Sequence, residues 1–143
     1  MSQKILLDSG IIVAFCSKNP PKKITQLFLK IASNDYVATL VISQISEIAY
    51  HLSKFYNKET IRQLIYSIID KYQLQIVDPS VDLSLEAGLL RKDYPSLLSY
   101  VDCVLLLMCK HERLIFHTTE KRLTEFLRVD FANQLKIVKY AFD

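Results

Sequence analysis

The sequence predicts an α/β fold in which a central parallel sheet carries helices on both faces. Two observations lead there. Short apolar runs without polar alternation, at residues 4–7 and 74–77, suit strands buried on both sides. Between such runs lie stretches whose apolar residues recur at helical spacing, so strand and helix alternate along the chain. At 143 residues the chain has the size of one compact unit, and a single domain over residues 1–143 is expected.

The elements follow in order. Residues 4–7 make the first strand, closed by Asp8 and then Ser9-Gly10. Pro20-Pro21 is a stop signal, and proline is tolerated in the first turn of the helix that follows. In that helix Ile24, Leu27, Phe28 and Ile31 share one face. Asn34-Asp35 mark a turn, and residues 36–40 read as a strand. Residues 41–55 form a helix with Ile45, Ile48, Ala49 and Leu52 as its stripe. Asn57 suits the cap of the next helix, which carries Ile61, Leu64, Ile65, Ile68 and Ile69. A strand at 74–77 ends at Asp78-Pro79-Ser80, a helix spans 81–91, and Asp93-Tyr94-Pro95-Ser96 breaks the chain again. An apolar helix runs from Ser99 or Tyr100 to Lys110, and a strand covers 113–117. Thr118-Thr119-Glu120 turn into a helix ending near Leu127, and a last strand covers 135–138. No repeat, low-complexity segment or linker interrupts this order.

Composition narrows the class. Half of the residues are hydrophobic and 23% are charged, the balance of a globular chain. A net charge of +3 permits a phosphate-bearing partner without demanding one. Cys16, Cys103 and Cys109 are odd in number and contain no CxxC pair, which argues against a disulfide framework or a zinc ribbon and for a reducing compartment. The N-terminus lacks the long apolar core of a signal peptide, and the longest uncharged stretch, near residues 37–45, is too short to cross a bilayer. A cytoplasmic protein without membrane contact is expected.

In an open parallel sheet the ligand crevice lies beyond the carboxyl ends of the strands. Asp8 closes the first strand, and Glu120 follows the strand at 113–117. Glu47 and Asp102 stand within otherwise apolar helices. Each has a plainer reading. Asp8 and Asp102 suit helix caps, Glu47 a solvated stripe, and Glu120 a first-turn acid opposing the helix dipole. Taken together, four neighbouring carboxylates would repel one another unless a cation compensates. A hard divalent ion, Mg²⁺ or Mn²⁺, prefers such oxygen donors. That pairing suits phosphodiester hydrolysis, in which one ion acidifies a water and a second, about 4 Å away, stabilises the leaving oxygen. No Ser-His-Asp arrangement is apparent.

Four segments, in this order, resemble the PIN-domain family, in particular the toxin ribonucleases of VapBC-type toxin–antitoxin pairs. They are Ile5-Leu6-Leu7-Asp8-Ser9, Ile42-Ser43-Gln44-Ile45-Ser46-Glu47-Ile48, Leu98-Ser99-Tyr100-Val101-Asp102-Cys103 and Leu114-Ile115-Phe116-His117-Thr118-Thr119-Glu120. The resemblance implies a three-layer α/β/α sandwich with Asp8, Glu47, Asp102 and Glu120 as direct or water-mediated ligands of Mg²⁺ or Mn²⁺. It implies that Ser9 and Thr118 orient those carboxylates by hydrogen bonds. It further implies an endoribonuclease acting on RNA, a homodimer, and a small antitoxin protein whose tail enters the acidic cleft. The chain departs from the family pattern at Glu120, where Asp is usual, and at Cys103, where Ala is usual. The alternative is a catalytically weak PIN-like module that binds RNA or protein. A flavodoxin-like or response-regulator domain would want paired acids after the first strand, whereas Asp8 stands alone.

Other residues carry two readings each. Lys18, Lys22 and Lys23 could contact phosphates, though a solvated loop and helix start is the plainer account; Arg91, Lys92 and Arg113 are similarly open. Tyr94 and Tyr100 could stack on bases or simply pack. His117 suits a proton donor or an inert strand residue.

Overall fold

The computed structural model describes residues 2–141. Five parallel strands form one sheet: β1 (Gln3–Leu7), β2 (Tyr36–Val41), β3 (Gln75–Val77), β4 (Ile115–Thr118) and β5 (Lys136–Lys139), in the order β3-β2-β1-β4-β5. The register sets Ile5 beside Ala38 and Ile115, and Leu7 beside His117. The expected α/β architecture is present. β1 lies at the centre, and its carboxyl end is flanked by those of β2 and β4.

Alternation along β1 divides the core in two. Ile5 and Leu7 face one way and Leu6 the other, because successive strand residues point to opposite sides. The first face is covered by α1 (Ser9–Phe15), α2 (Lys22–Ala32), α3 (Ile42–Leu52) and α4 (Lys58–Lys71). On α2, Ile24, Leu27, Phe28 and Ile31 are all buried, and Phe28 stacks on Phe15 of α1 at 3.8 Å between ring centroids. Burying side chains of this size stabilises by about 1.5–3 kcal/mol each. The second face is covered by α5 (Val81–Asp93), α6 (Tyr100–Glu112) and α7 (Leu123–Phe126), with α8 (Val129–Ala132) after them. Leu105, Leu106 and Leu107 of α6 are each 2% exposed or less, so this helix is apolar nearly all round because it is nearly enclosed.

Local signals act as the residues suggest. Asn57 accepts a hydrogen bond from Thr60 N–H and caps α4, and Asn34 takes a left-handed φ of 66° in the turn before β2. Some boundaries differ from the sequence reading. Arg113 closes α6 with φ 57°, a left-handed conformation no strand can hold, so β4 starts at Ile115 and runs through Thr118. Val41 ends β2 and α3 starts at Ile42. The one-to-two-turn helices α1 and α8 have no counterpart in the sequence reading; their apolar positions are too few to display a period.

Candidate active site

Asp8 stands where β1 hands over to α1, at the helix N-cap position, but its side chain makes no capping hydrogen bond. Instead Thr118 Oγ1, at the end of β4, donates to Asp8 Oδ2 at 2.7 Å. Thr118 is wholly buried, and the same oxygen accepts from Glu120 N–H at 3.0 Å. Neighbouring strand ends are thus tied through one hydroxyl. Burial raises the Asp8 pKa above the usual carboxylate value. The Thr118 hydroxyl opposes that, Asp102 adds to it, the Ser9 amide opposes it, and Glu47 adds to it again.

Glu47 projects from α3, half-buried, and Ser9 Oγ donates to its Oε1 at 2.9 Å. Beneath them lies Gln44, completely buried. Its Oε1 accepts from Val41 N–H at 2.8 Å, and its Nε2 donates to Leu7 O at 2.7 Å and to Ser9 Oγ at 3.3 Å. Gln44 therefore fixes the end of β1, the start of α3 and the Ser9 hydroxyl together. Sequence reasoning assigned it no role; the available signal was a polar residue one turn before Glu47, on the inward side of an apolar helix start.

Asp102 is indeed a cap. Ser99 Oγ accepts from Asp102 N–H at 3.0 Å, and Asp102 Oδ2 accepts from Ser99 N–H at 2.9 Å. One carboxylate oxygen serves the helix start, leaving the other for a ligand. Glu120 is exposed, and its Oε1 accepts from Arg122 N–H at 3.2 Å. The loop bearing it crosses α1 closely: a Cβ built on Gly10 would lie 2.3 Å from Thr119 Oγ1. Gly10 is what allows this approach.

The carboxylates line two adjoining cavities rather than one. Asp8, Asp102 and Glu120 border a narrow cavity of about 90 Å³ walled by Leu98, Leu106 and Phe116. Asp8, Glu47 and Glu120 border an open one of about 470 Å³ that also includes Ser9 and Thr119. Asp8 and Glu120 belong to both. Among the described residues no lysine, arginine or histidine forms an ion pair with any of these four acids. Nor do three Asp, Glu, His or Cys side chains converge closely enough, as placed, to hold an ion. The donors nevertheless suit a hard divalent cation in kind: all are oxygens, and the charge on Asp8 is opposed by burial and by two further carboxylates.

The remaining candidates separate clearly. His117 is 3% exposed, with Nδ1 2.7 Å from Tyr140 Oη. Burial, and secondarily Lys30, push its pKa down to about 4. A neutral imidazole turned toward Tyr140 and Tyr36 is not poised to donate a proton at the acids. Tyr94 is 5% exposed, with its hydroxyl accepting from Arg128 N–H at 2.9 Å, so it packs; Tyr100 is 64% exposed. All three cysteines are buried, with thiol pKa values raised by desolvation.

Comparison with known proteins agrees with this architecture. The sequence profile of the PIN domain family matches residues 5–132. Among solved structures, VapBC2 from Rickettsia felis, bound to a DNA fragment from its promoter, contains a similar chain. The two are 18% identical, the match covers 96% of this chain and 99% of that one, and the TM-score is 0.73. A toxin–antitoxin complex from Klebsiella pneumoniae gives 16% identity, 96% and 99% coverage and a TM-score of 0.65. FitAcB from Neisseria gonorrhoeae gives 16%, 93% and 95%, and 0.63. At such identities the likeness is one of fold. No curated protein matches the sequence.

Proposed function

This chain belongs to the PIN domain family, whose members are generally nucleases, and from that membership we propose that it is a divalent-metal-dependent endoribonuclease, the toxin of a toxin–antitoxin pair. One observation carries the proposal. A half-buried carboxylate, Asp8, follows the end of the central strand under the influence of Asp102 and Glu47, and no basic side chain among the described residues ion-pairs with any of them. Structure of this kind stores negative charge for a cation.

Asp8, Glu47, Asp102 and Glu120 would hold Mg²⁺ or Mn²⁺. When bound, the ion supplies Lewis acidity toward the phosphodiester and offsets the charge that develops on it. The chain itself orients the donors. Thr118 restrains Asp8, Ser9 restrains Glu47, and the Ser99 amide restrains Asp102. Leu98, Leu106 and Phe116 keep bulk water from one side of the acids, which strengthens charge–charge interactions there. The RNA phosphate would approach from the open cavity beside Glu47.

A protein antitoxin partner is supported by the toxin–antitoxin complex that shares this fold. A homodimer is supported by Val81, Leu85 and Leu89, which form an exposed apolar stripe on α5 at 63–76% exposure, opposite its buried Ala87. A cytoplasmic site of action agrees with the free, buried cysteines. Among the described residues no helix is long and apolar enough to cross a membrane.

The catalytically weak binding module is a second reading, favoured by the Glu120 carboxylate, whose Oε1 is engaged by the Arg122 amide within its own turn. The two separate in one experiment. End-labelled RNA is incubated with Mg²⁺, Mn²⁺ or EDTA, using wild type, Asp8→Asn and Asp102→Asn. The nuclease reading expects cleavage only with divalent ions and none in either variant. Cleavage indifferent to EDTA or to Asp8→Asn refutes it, and RNA binding without cleavage under any ion favours the weak module.

A further inference from the structure

We infer that Tyr100, backed by Arg91, is a platform on which a base of the RNA strand stacks beside the acidic cavity. This rests on the nuclease reading for its ligand, although its geometry stands apart from the metal ligands.

Tyr100 opens α6 and is 64% exposed, unlike Tyr94, which the core absorbs. The guanidinium carbon of Arg91, on α5, lies 4.3 Å from the Tyr100 ring centroid. That is close stacking, with the cation over the ring. Arg91 Nε is buried and has no hydrogen-bond partner, and no carboxylate among the described residues pairs with this arginine. The guanidinium is therefore positioned by the ring, not by a salt bridge, and its charge is left for a phosphate. Arginine's planar group suits both tasks.

Location matches. Asp102 lies two residues beyond Tyr100 in the first turn of α6, and residues so spaced point to different sides of a helix. Tyr100 thus flanks the acidic cavity without lining it. Leu97, 52% exposed and three residues before Tyr100 in the turn leading into α6, lines that cavity together with Asp8 and Asp102. An acidic floor for a cation-held phosphate thus adjoins an aromatic face and an unpaired cation, the alternation of a single strand's phosphates and bases.

The chain contains no tryptophan, so Tyr100→Trp supplies one fluorophore at the platform. Binding is measured in EDTA, where metal-dependent cleavage cannot occur, with a single-stranded RNA oligonucleotide and, for comparison, inorganic polyphosphate. The expected result is quenching of Tyr100→Trp emission by the oligonucleotide but not by polyphosphate. Tyr100→Ala should bind the oligonucleotide about tenfold more weakly with an unchanged salt slope, while Tyr100→Phe stays near wild type. Arg91→Gln should reduce the salt slope by about one. Equal affinity of wild type and Tyr100→Ala overturns the inference and leaves the nuclease reading standing. Quenching by polyphosphate alone, or by a protein partner but not RNA, also overturns it. Failure of wild type to bind the oligonucleotide in EDTA also overturns the inference, while the nuclease reading is decided separately by the metal-dependent cleavage assay.

Discussion

Thr118→Val preserves the shape of a side chain that is wholly buried and deletes one hydroxyl. That hydroxyl donates to Asp8 Oδ2 at 2.7 Å and accepts from Glu120 N–H at 3.0 Å. A hydrogen bond to a charged carboxylate contributes about 1.5–3 kcal/mol. Glu120 is exposed, so water can partly replace the second bond, and its loss costs about 1 kcal/mol. The added methyl returns about 0.8 kcal/mol through apolar burial. The net destabilisation is about 2 kcal/mol. With a urea slope of about 2 kcal/mol per molar, the midpoint should fall by about 1 M. The assay is urea unfolding followed by far-ultraviolet circular dichroism at pH 7 in EDTA, with Thr118→Ser as the hydroxyl-retaining control. As pH falls through the raised Asp8 pKa the acceptor loses its charge, and the gap between wild type and Thr118→Val should narrow. A midpoint shift under about 0.2 M at pH 7, or a gap that does not change with pH, would refute the claim that this hydroxyl restrains the carboxylate.

Three further outcomes follow from the same geometry. Asp8→Asn should raise the melting temperature in EDTA while abolishing RNA cleavage. The folded-state pKa of Asp8 is raised, so its stability contribution is full below about 3.8 and is lost as pH rises through the folded value. Mg²⁺ should raise the melting temperature of wild type more than that of the variant, and a variant less stable than wild type in EDTA would contradict the stored-charge account. His117 has the opposite sign. Its pKa falls from 6.5 to about 4 on folding, so its contribution is present above pH 6.5 and is lost as pH drops toward 4. The shift corresponds to about 3 kcal/mol, so His117→Phe should flatten the urea midpoint between those pH values; an unaltered profile would count against a neutral buried imidazole. Gly10→Ala should gain helix propensity of about 1 kcal/mol but displace Thr119, leaving stability near wild type while cleavage falls several-fold. Undiminished cleavage would show that the Thr119–Glu120 loop need not hold its place.

Strand and helix alternation was legible in the sequence because burial imposes it residue by residue. Ile5, Leu6 and Leu7 must all be apolar in a strand covered on both faces, and Ile24, Leu27, Phe28 and Ile31 must share one side of α2. Acids at strand ends and helix starts were legible too, since a lone carboxylate amid apolar residues stands out. Capping was legible at Asn57, where donor and acceptor lie three residues apart. Each of these signals is local.

What tertiary structure alone decided is long-range. Thr118 and Asp8 are 110 residues apart, and Ser9 and Glu47 are 38 apart, yet each pair shares a hydrogen bond. Strand order brings β1 between β2 and β4, and no local pattern encodes that adjacency. For the same reason the sequence expected one shared pocket, whereas packing of α6 and α3 on opposite faces of the sheet distributes Asp102 and Glu47 between two cavities that meet at Asp8 and Glu120. Composition likewise treated Tyr94 and Tyr100 alike. Only their neighbours separate them, one enclosed by the core and the other left in solvent over Arg91. Side-chain type is written locally; which side chains meet depends on how the sheet closes the distance between them.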